Sequence, residues 1–165
     1  MPEILILTGA CGVGKTTTAR AWAKARQGVA IETDYFTEWI HDDSFERFTA
    51  EEETLVANLT VVTTQEYLKL EMPVAIDGVW SPAGLEILKN RLEEETNIRL
   101  KFVWLYCDIS ENHRRDELRV LEDQMKQRVD IVNQEQRSHK WQEWVYPIDT
   151  THLTLQETLA AIEAI

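Results

Sequence analysis

The chain is short of cysteine, with two residues in 165, and it carries only four prolines and six glycines. Cys11 and Cys107 have no histidine or cysteine neighbours at metal-ligand spacing. They exclude a disulfide framework and fit a reducing, cytoplasmic setting. Long apolar runs are missing as well: nothing approaches the ~20 residues a membrane span needs, so no membrane partner is expected. The sequence enters a strand directly, and no signal peptide is expected. Positive charge is scarce, with 17 Lys and Arg against 29 Asp and Glu for a formal net charge of −12. That balance argues against nucleic acid as a partner, because phosphate neutralisation needs basic side chains. Repeats, low-complexity tracts and linkers are absent, so one domain is expected over 1–165.

What is present centres on Gly9-Ala10-Cys11-Gly12-Val13-Gly14-Lys15-Thr16, behind the apolar run Ile4-Leu5-Ile6-Leu7. This is a complete Gly-x-x-x-x-Gly-Lys-Thr phosphate-binding loop in its required context, after a strand and before the helix-forming stretch Thr16 to Arg26. Glycines let the backbone form a nest of inward N–H groups, and the helix N-terminus adds partial positive charge. Gly9 to Thr16, with Thr17 next in the helix, are the expected nucleotide-binding residues. Lys15 would reach the β- and γ-phosphates, and Thr16 would ligate Mg²⁺.

Strands and helices alternate along the chain. Gly28 is expected to stop the first helix, ahead of strand Val29–Glu32. Thr49 and Glu52 form a capping box for a long helix whose stripe Leu55, Val56, Leu59, Val62, Thr63, Tyr67 and Leu70 is expected to face the core. Strands follow at 73–77, 100–107 and 146–149. Between them, Ser81-Pro82 opens a helix to about Glu95, and Ser110 is expected to cap the next. Thr154 and Glu157 make a second capping box for the last helix. The pattern predicts a parallel sheet with helices on both faces and ligands at the strands' carboxyl ends. Asp34, Asp77 and Asp149 each close a strand and would lie along that edge.

Phosphoryl transfer needs an acceptor-side carboxylate, a metal-shell carboxylate, cations and a base-binding wall. Asp34 suits the first role; its alternative is the N-cap of a helix at 35–41. Asp77 suits the metal shell, as an Asp ending an apolar strand, or else a turn-forming Asp-Gly pair. Arg115 and Arg119, at i and i+4, would share one helix face and fold over the phosphates, or line a solvated face. Arg114 and Arg128 are reserves. The segment from about 111 to 140 is charged and poor in large apolar residues, and is expected to be a mobile lid. Residues 32 to 53 hold nine acidic side chains against one basic one. Among them Glu38, Asp42 and Asp43 would bias an acceptor pocket towards neutral or cationic compounds. Trp39 and Trp80 are the tryptophans expected beside the cleft.

With these residues in place, the chain resembles the small P-loop kinases of the adenylate, shikimate and gluconate kinase group. It is most similar to chloramphenicol-phosphotransferase-like members. The likeness rests on the loop, Thr33-Asp34, Val74-Ala75-Ile76-Asp77-Gly78, Trp104 to Asp108, Arg115-x-x-x-Arg119 and Ile148-Asp149-Thr150-Thr151. It implies a three-layer α/β P-loop fold with a five-stranded parallel sheet, a helical lid, ATP and Mg²⁺. It also implies Asp34 as base or hydroxyl anchor, Arg115 and Arg119 as lid arginines, and Asp149-Thr150-Thr151 as the adenine-contacting turn. The Arg that follows Asp-Gly in adenylate kinases is replaced by Val79-Trp80-Ser81-Pro82, and the Gly triplet of shikimate kinases is missing. An uncharged or cationic hydroxyl acceptor is therefore expected, with a nucleoside or nucleotide as the alternative, in a monomer or homodimer. The other rival is a nucleotide-binding module or switch without kinase activity. Asp77 lacks a Gly three positions on, and no Asn-Lys-x-Asp occurs, which disfavours a guanine-nucleotide switch.

Overall fold

Ile4, Leu5, Ile6 and Leu7 are all completely buried, because their strand lies mid-sheet with helices over both faces. Burial of each side chain contributes about 1.5–3 kcal/mol. The computed structural model describes residues 2–94 and 98–165. Among these, one sheet is built from β1 (Glu3–Thr8), β2 (Val29–Glu32), β3 (Val74–Asp77), β4 (Arg99–Tyr106) and β5 (Val145–Asp149). Its order is β2-β3-β1-β4-β5 and every neighbouring pair is parallel. The helices are α1 (Lys15–Ala25), the single turn α2 (Tyr35–Glu38), α3 (Ala50–Leu68), α4 (Pro82–Leu92), α5 (Ile109–Glu117), α6 (Gln127–Ser138) and α7 (Leu155–Glu163). The expected three-layer α/β fold is present. On one face Leu5, Leu7 and Val103 meet Ala19, Trp22 and Ile162 of α1 and α7. On the other, Ile4, Ile6 and Ile76 meet Ala57, Val61, Leu85 and Leu88 of α3 and α4.

Local chemistry departs from the sequence reading at several points. In α3 the fully hidden face is Glu52, Ala57, Thr60, Val61 and Thr64, while Leu55, Val62 and Leu70 of the expected stripe are exposed. Small side chains fill this face, and Thr60 joins them by closing its hydroxyl within the helix, while Thr64 Oγ1 is buried without a partner among the described residues. Thr60 Oγ1 donates to the Val56 carbonyl at 2.7 Å. The helix after Asp34 ends at Glu38 rather than 41. The α4 helix ends at Leu92; the expected end at Glu95 lies outside the described residues. Ser110 is not a cap, since α5 starts at Ile109 with Asp108 before it. Trp141 and Trp144 lie in the α6–β5 connection and pack against Trp104 (tilted rings) and Phe102 (edge to face).

The end of α1 shows a division of labour. Gly28 donates its N–H to the Ala23 carbonyl at 2.8 Å, closing the turn, but the left-handed residue is Gln27, at φ 55°. Gly28 is demanded by space: a Cβ there would lie 2.2 Å from the Pro73 carbonyl oxygen. Accordingly Gly28→Ala is expected to cost about 1–3 kcal/mol through overpacking. Gln27→Gly should instead stabilise by about 1 kcal/mol, because only the left-handed backbone is relieved. Urea unfolding of the two variants checks this, and equal effects would contradict it.

Candidate active site

The Gly9–Thr16 loop leaves β1 at the middle of the sheet. Gly9, Gly12 and Gly14 all have positive φ, from 79° to 146°. At Gly9 a Cβ would strike the Leu105 carbonyl at 2.2 Å. Gly14 stands at the N-cap of α1 in a left-handed conformation, which turns the chain from nest into helix. Lys15 is buried, and its Nζ donates to the Ala10 carbonyl at 2.9 Å, so the ammonium lies across the loop. Thr16 Oγ1 donates to Asp77 Oδ2. Asp77 is 7% exposed and ends β3, in register with Leu7 of β1 and Glu32 of β2.

Asp34 arrives beside this pair because Thr33 donates both its N–H and its Oγ1 to the Asp77 carbonyl, each at 3.0 Å. Asp34 precedes α2 with helical backbone angles, φ −58° and ψ −31°, and its carboxylate caps no N–H. A capping carboxylate starts from extended backbone, so the cap alternative is not realised. Solvent reaches Asp34 from the cleft, yet the surrounding protein desolvates it and raises its pKa, reinforced by Asp77 and Glu52 and opposed by Lys15 and Arg47. Lys15, Thr16, Asp34 and Asp77 thus form one group. Asp149 stands apart on β5, with β1 and β4 intervening; hydrogen bonds from Thr151 hold its carboxyl below the usual range.

The oxygen donors suit Mg²⁺. That ion keeps most of its water and takes only one or two protein oxygens alongside phosphates. The Thr16 hydroxyl and the Asp77 carboxylate are such a pair, and no cluster of three or more potential metal ligands occurs among the described residues.

The two expected lid arginines are separated. The α5 helix ends at Glu117 with Leu118 as its C-cap, so Arg119 falls outside it and shares no helix face with Arg115. Arg115 is spent on the loop and the turn after β5. Its Nη1 donates to the Val13 carbonyl at 3.4 Å and to Thr150 Oγ1 at 3.2 Å, and its Nη2 to the Thr150 carbonyl at 2.7 Å. Thr150 Oγ1 itself donates to Val13 at 3.0 Å, which seats the Asp149-Thr150-Thr151 turn against the loop. Arg114 and Arg115 both grip Glu111 and hold its carboxyl down at about 2.

The segment expected to be a lid is anchored by polar groups beside the buried Val129 and Val132 of α6, and the polar anchors escaped the sequence reading. Asn112, fully buried, donates Nδ2 to the Cys11 carbonyl. Its Oδ1 accepts from Asn133 Nδ2 at 2.9 Å. Gln136 Nε2 donates to the Trp80 carbonyl at 3.0 Å, and both Asp116 oxygens accept backbone N–H groups at Met125 and Lys126. In α5 the sequence signal is only that Asn112 and Asp116 stand four apart, a spacing shared with any solvated face, whereas the buried Val129, Val132, Asn133 and Gln136 of α6 have the spacing of one helix face.

Between α2, α3 and α6 lies a cavity of about 550 Å³ that reaches Cys11 of the loop and has Asp34, Glu38, Trp80 and Arg128 in its walls. Asp42 and Asp43, expected there, are exposed outside it, Asp42 bonding Ser44. Trp39 is 68% exposed and also outside the lining. Arg47 donates to Glu52 and Thr37 at 2.7 Å each. Phe48, at φ 63°, projects with the Arg128 guanidinium 3.9 Å over its ring, joining the α3 side to the lid.

No family profile matches the sequence, and no curated protein matches it. Solved structures do. A sugar kinase of Janibacter sp. superposes with TM-score 0.76 at 12% identity, over 99% of this chain and 94% of that one. The tunicamycin resistance protein of Deinococcus radiodurans gives 0.64 at 19%, over 99% and 95%. A gluconokinase of Sinorhizobium meliloti gives 0.63 at 19%, over 99% and 90%. Sheet order, loop and whole-chain superposition agree: the chain has the fold of the small P-loop kinases.

Proposed function

We propose that the chain is an ATP-dependent phosphotransferase acting on a hydroxyl group of a small molecule. The observation that carries this reading is one grouping: a phosphate-type loop, Lys15, the Thr16–Asp77 pair and an uncapped Asp34, with Asp34 and Cys11 of the loop lining the adjoining cavity. Loop amides from Gly12 to Thr16 hold the phosphates, and Lys15 exchanges its Ala10 carbonyl for phosphate oxygen. Thr16 and Asp77 would hold Mg²⁺, which would neutralise charge on the phosphates. Asp34 orients the acceptor hydroxyl and takes its proton as the new O–P bond forms and the bond to the β–γ bridging oxygen breaks, releasing ADP. A carboxylate with a raised pKa is the better base at neutral pH. Docked α5 and α6 exclude water, which would otherwise hydrolyse ATP. The turn at Asp149-Thr150-Thr151, seated against the loop through Thr150, would meet the adenine. Arg128 is the lid arginine in the cavity wall, while Arg115 holds the loop's outer side. The free thiols Cys11 and Cys107 suit a reducing cytosol.

Lys15→Ala should abolish transfer and weaken ATP binding in titration calorimetry; undiminished turnover would end the reading. Asp34→Asn should lower the turnover number by ~10²–10⁴ while ATP affinity barely moves. A silent substitution would remove Asp34 from the chemistry.

The raised pKa of Asp34 has two further expected consequences. The base must be ionised, so kcat/KM should fall on the acid side through a pKa above the ordinary carboxylate value. A raised folded-state pKa also means that Asp34 favours folding while protonated and loses that contribution as pH rises through the raised value. At pH 7 Asp34→Asn should therefore raise the melting temperature. A lower melting temperature would show the ionised carboxylate to be stabilising.

A further inference from the structure

The cavity beside the loop carries more acid than its hydrogen bonds use. Five carboxylates line it (Asp34, Glu38, Glu52, Glu53, Glu135) against two guanidiniums. Two of the five are consumed. Glu52 accepts from Arg47 and the Phe48 N–H, and Glu53 accepts from the Ser81 N–H and hydroxyl at 2.7 Å each. Glu38 on the α2 wall and Glu135 on the α6 wall have exposed carboxylates with no hydrogen-bond or ion-pair partner among the described residues. The cations do not compensate. Arg47 is committed to Glu52 and Thr37, and Arg128 rests on the Phe48 ring. A second and separate observation comes from Gln136, a lining residue only 2% exposed. Its amide nitrogen is taken by Trp80, while its Oε1 is buried without a partner. An orphaned buried acceptor costs free energy until a donor arrives.

We infer that the acceptor is an amine-bearing alcohol, such as an amino sugar, with its ammonium recognised by Glu38, Glu135 and Gln136 and its hydroxyl presented to Asp34. An ammonium has three N–H donors and no acceptor, and these walls offer unpaired acceptors. A phosphate- or carboxylate-bearing acceptor would meet the same unpaired carboxylates, with Arg128 against them as the lining cation that is not ion-paired to another wall residue. The inference deepens the phosphotransferase reading and rests on it for the role of the hydroxyl.

Binding and transfer are read separately on the full chain. Titration calorimetry with ADP and Mg²⁺ present compares glucosamine with glucose, glucose 6-phosphate and gluconate, and kanamycin with the neutral three-ring maltotriose. ADP release and product mass then follow with ATP. In at least one pair the amine compound should bind about tenfold or more tighter than its neutral counterpart, the scale of a charged hydrogen bond. That ratio should collapse towards one in the Glu38→Gln, Glu135→Gln double variant. Equal binding of the paired compounds, no binding of either amine, a preference that survives in the double variant, or tighter binding of glucose 6-phosphate or gluconate would each overturn the inference. An amine that binds by these residues yet receives no phosphate overturns the transferase reading alone. Transfer confined to neutral alcohols overturns the amine site alone.

Discussion

A loop that points its N–H groups inward must point its carbonyls outward, and every outward carbonyl needs a donor from somewhere else. That requirement organises the molecule. Ala10 takes the Lys15 ammonium, Cys11 the Asn112 amide, Val13 the Thr150 hydroxyl and Arg115, and Gly14 the Thr18 N–H. The donors come from α1, from α5 and from the turn after β5, so satisfying eight residues of loop draws together elements from the whole length of the chain. The α5 helix and the β5 turn are thus structural partners of the loop, not attachments to it.

The parts of the fold legible in the sequence were those with a one-dimensional signature. β1 and β4 read as buried strands because both faces are covered, the loop has fixed spacing, and Thr154 with Glu157 forms the capping box found at α7. Contacts across the fold left no such trace. Gly28 looks like a helix stop until Pro73 is brought against it from another strand. Arg115 and Arg119 have helical spacing, yet the helix ends between them, and Arg115 bonds residues 102 and 35 positions away. Asn112 and Asn133 sit in a stretch whose composition is that of a solvated surface; Asn112 is buried against the Cys11 carbonyl of the loop, and Asn133 is buried against Asn112. At α3 the large apolar side chains of the expected stripe mark one face, but close packing selects the small side chains of Ala57, Thr60 and Thr64, which hydropathy does not rank as core.

The placement of Asp34 opposes local stability. The residue is in position to cap α2 and does not. Desolvation disfavours its charge, and nearby Asp77 and Glu52 add to the cost. Such an arrangement persists because the Thr33 bonds to β3 fix the backbone on either side, leaving the carboxylate no relaxed alternative. Phe48 is a second example on the far wall. Its left-handed backbone is retained through the Glu52 carboxylate on its N–H, and its ring then serves as the seat for Arg128.

The buried residues of α5 are Asn112 and Asp116 alone. Undocking this helix therefore uncovers amide and carboxylate groups and very little carbon. Exposure of apolar surface is what gives opening transitions a large positive heat capacity, and exposure of polar surface contributes with the opposite sign. Release of α5 is thus an enthalpic event with a small heat-capacity change. Its equilibrium should run nearly straight with inverse temperature, opening progressively with warmth and lacking the weakening in the cold that an oily hinge would show.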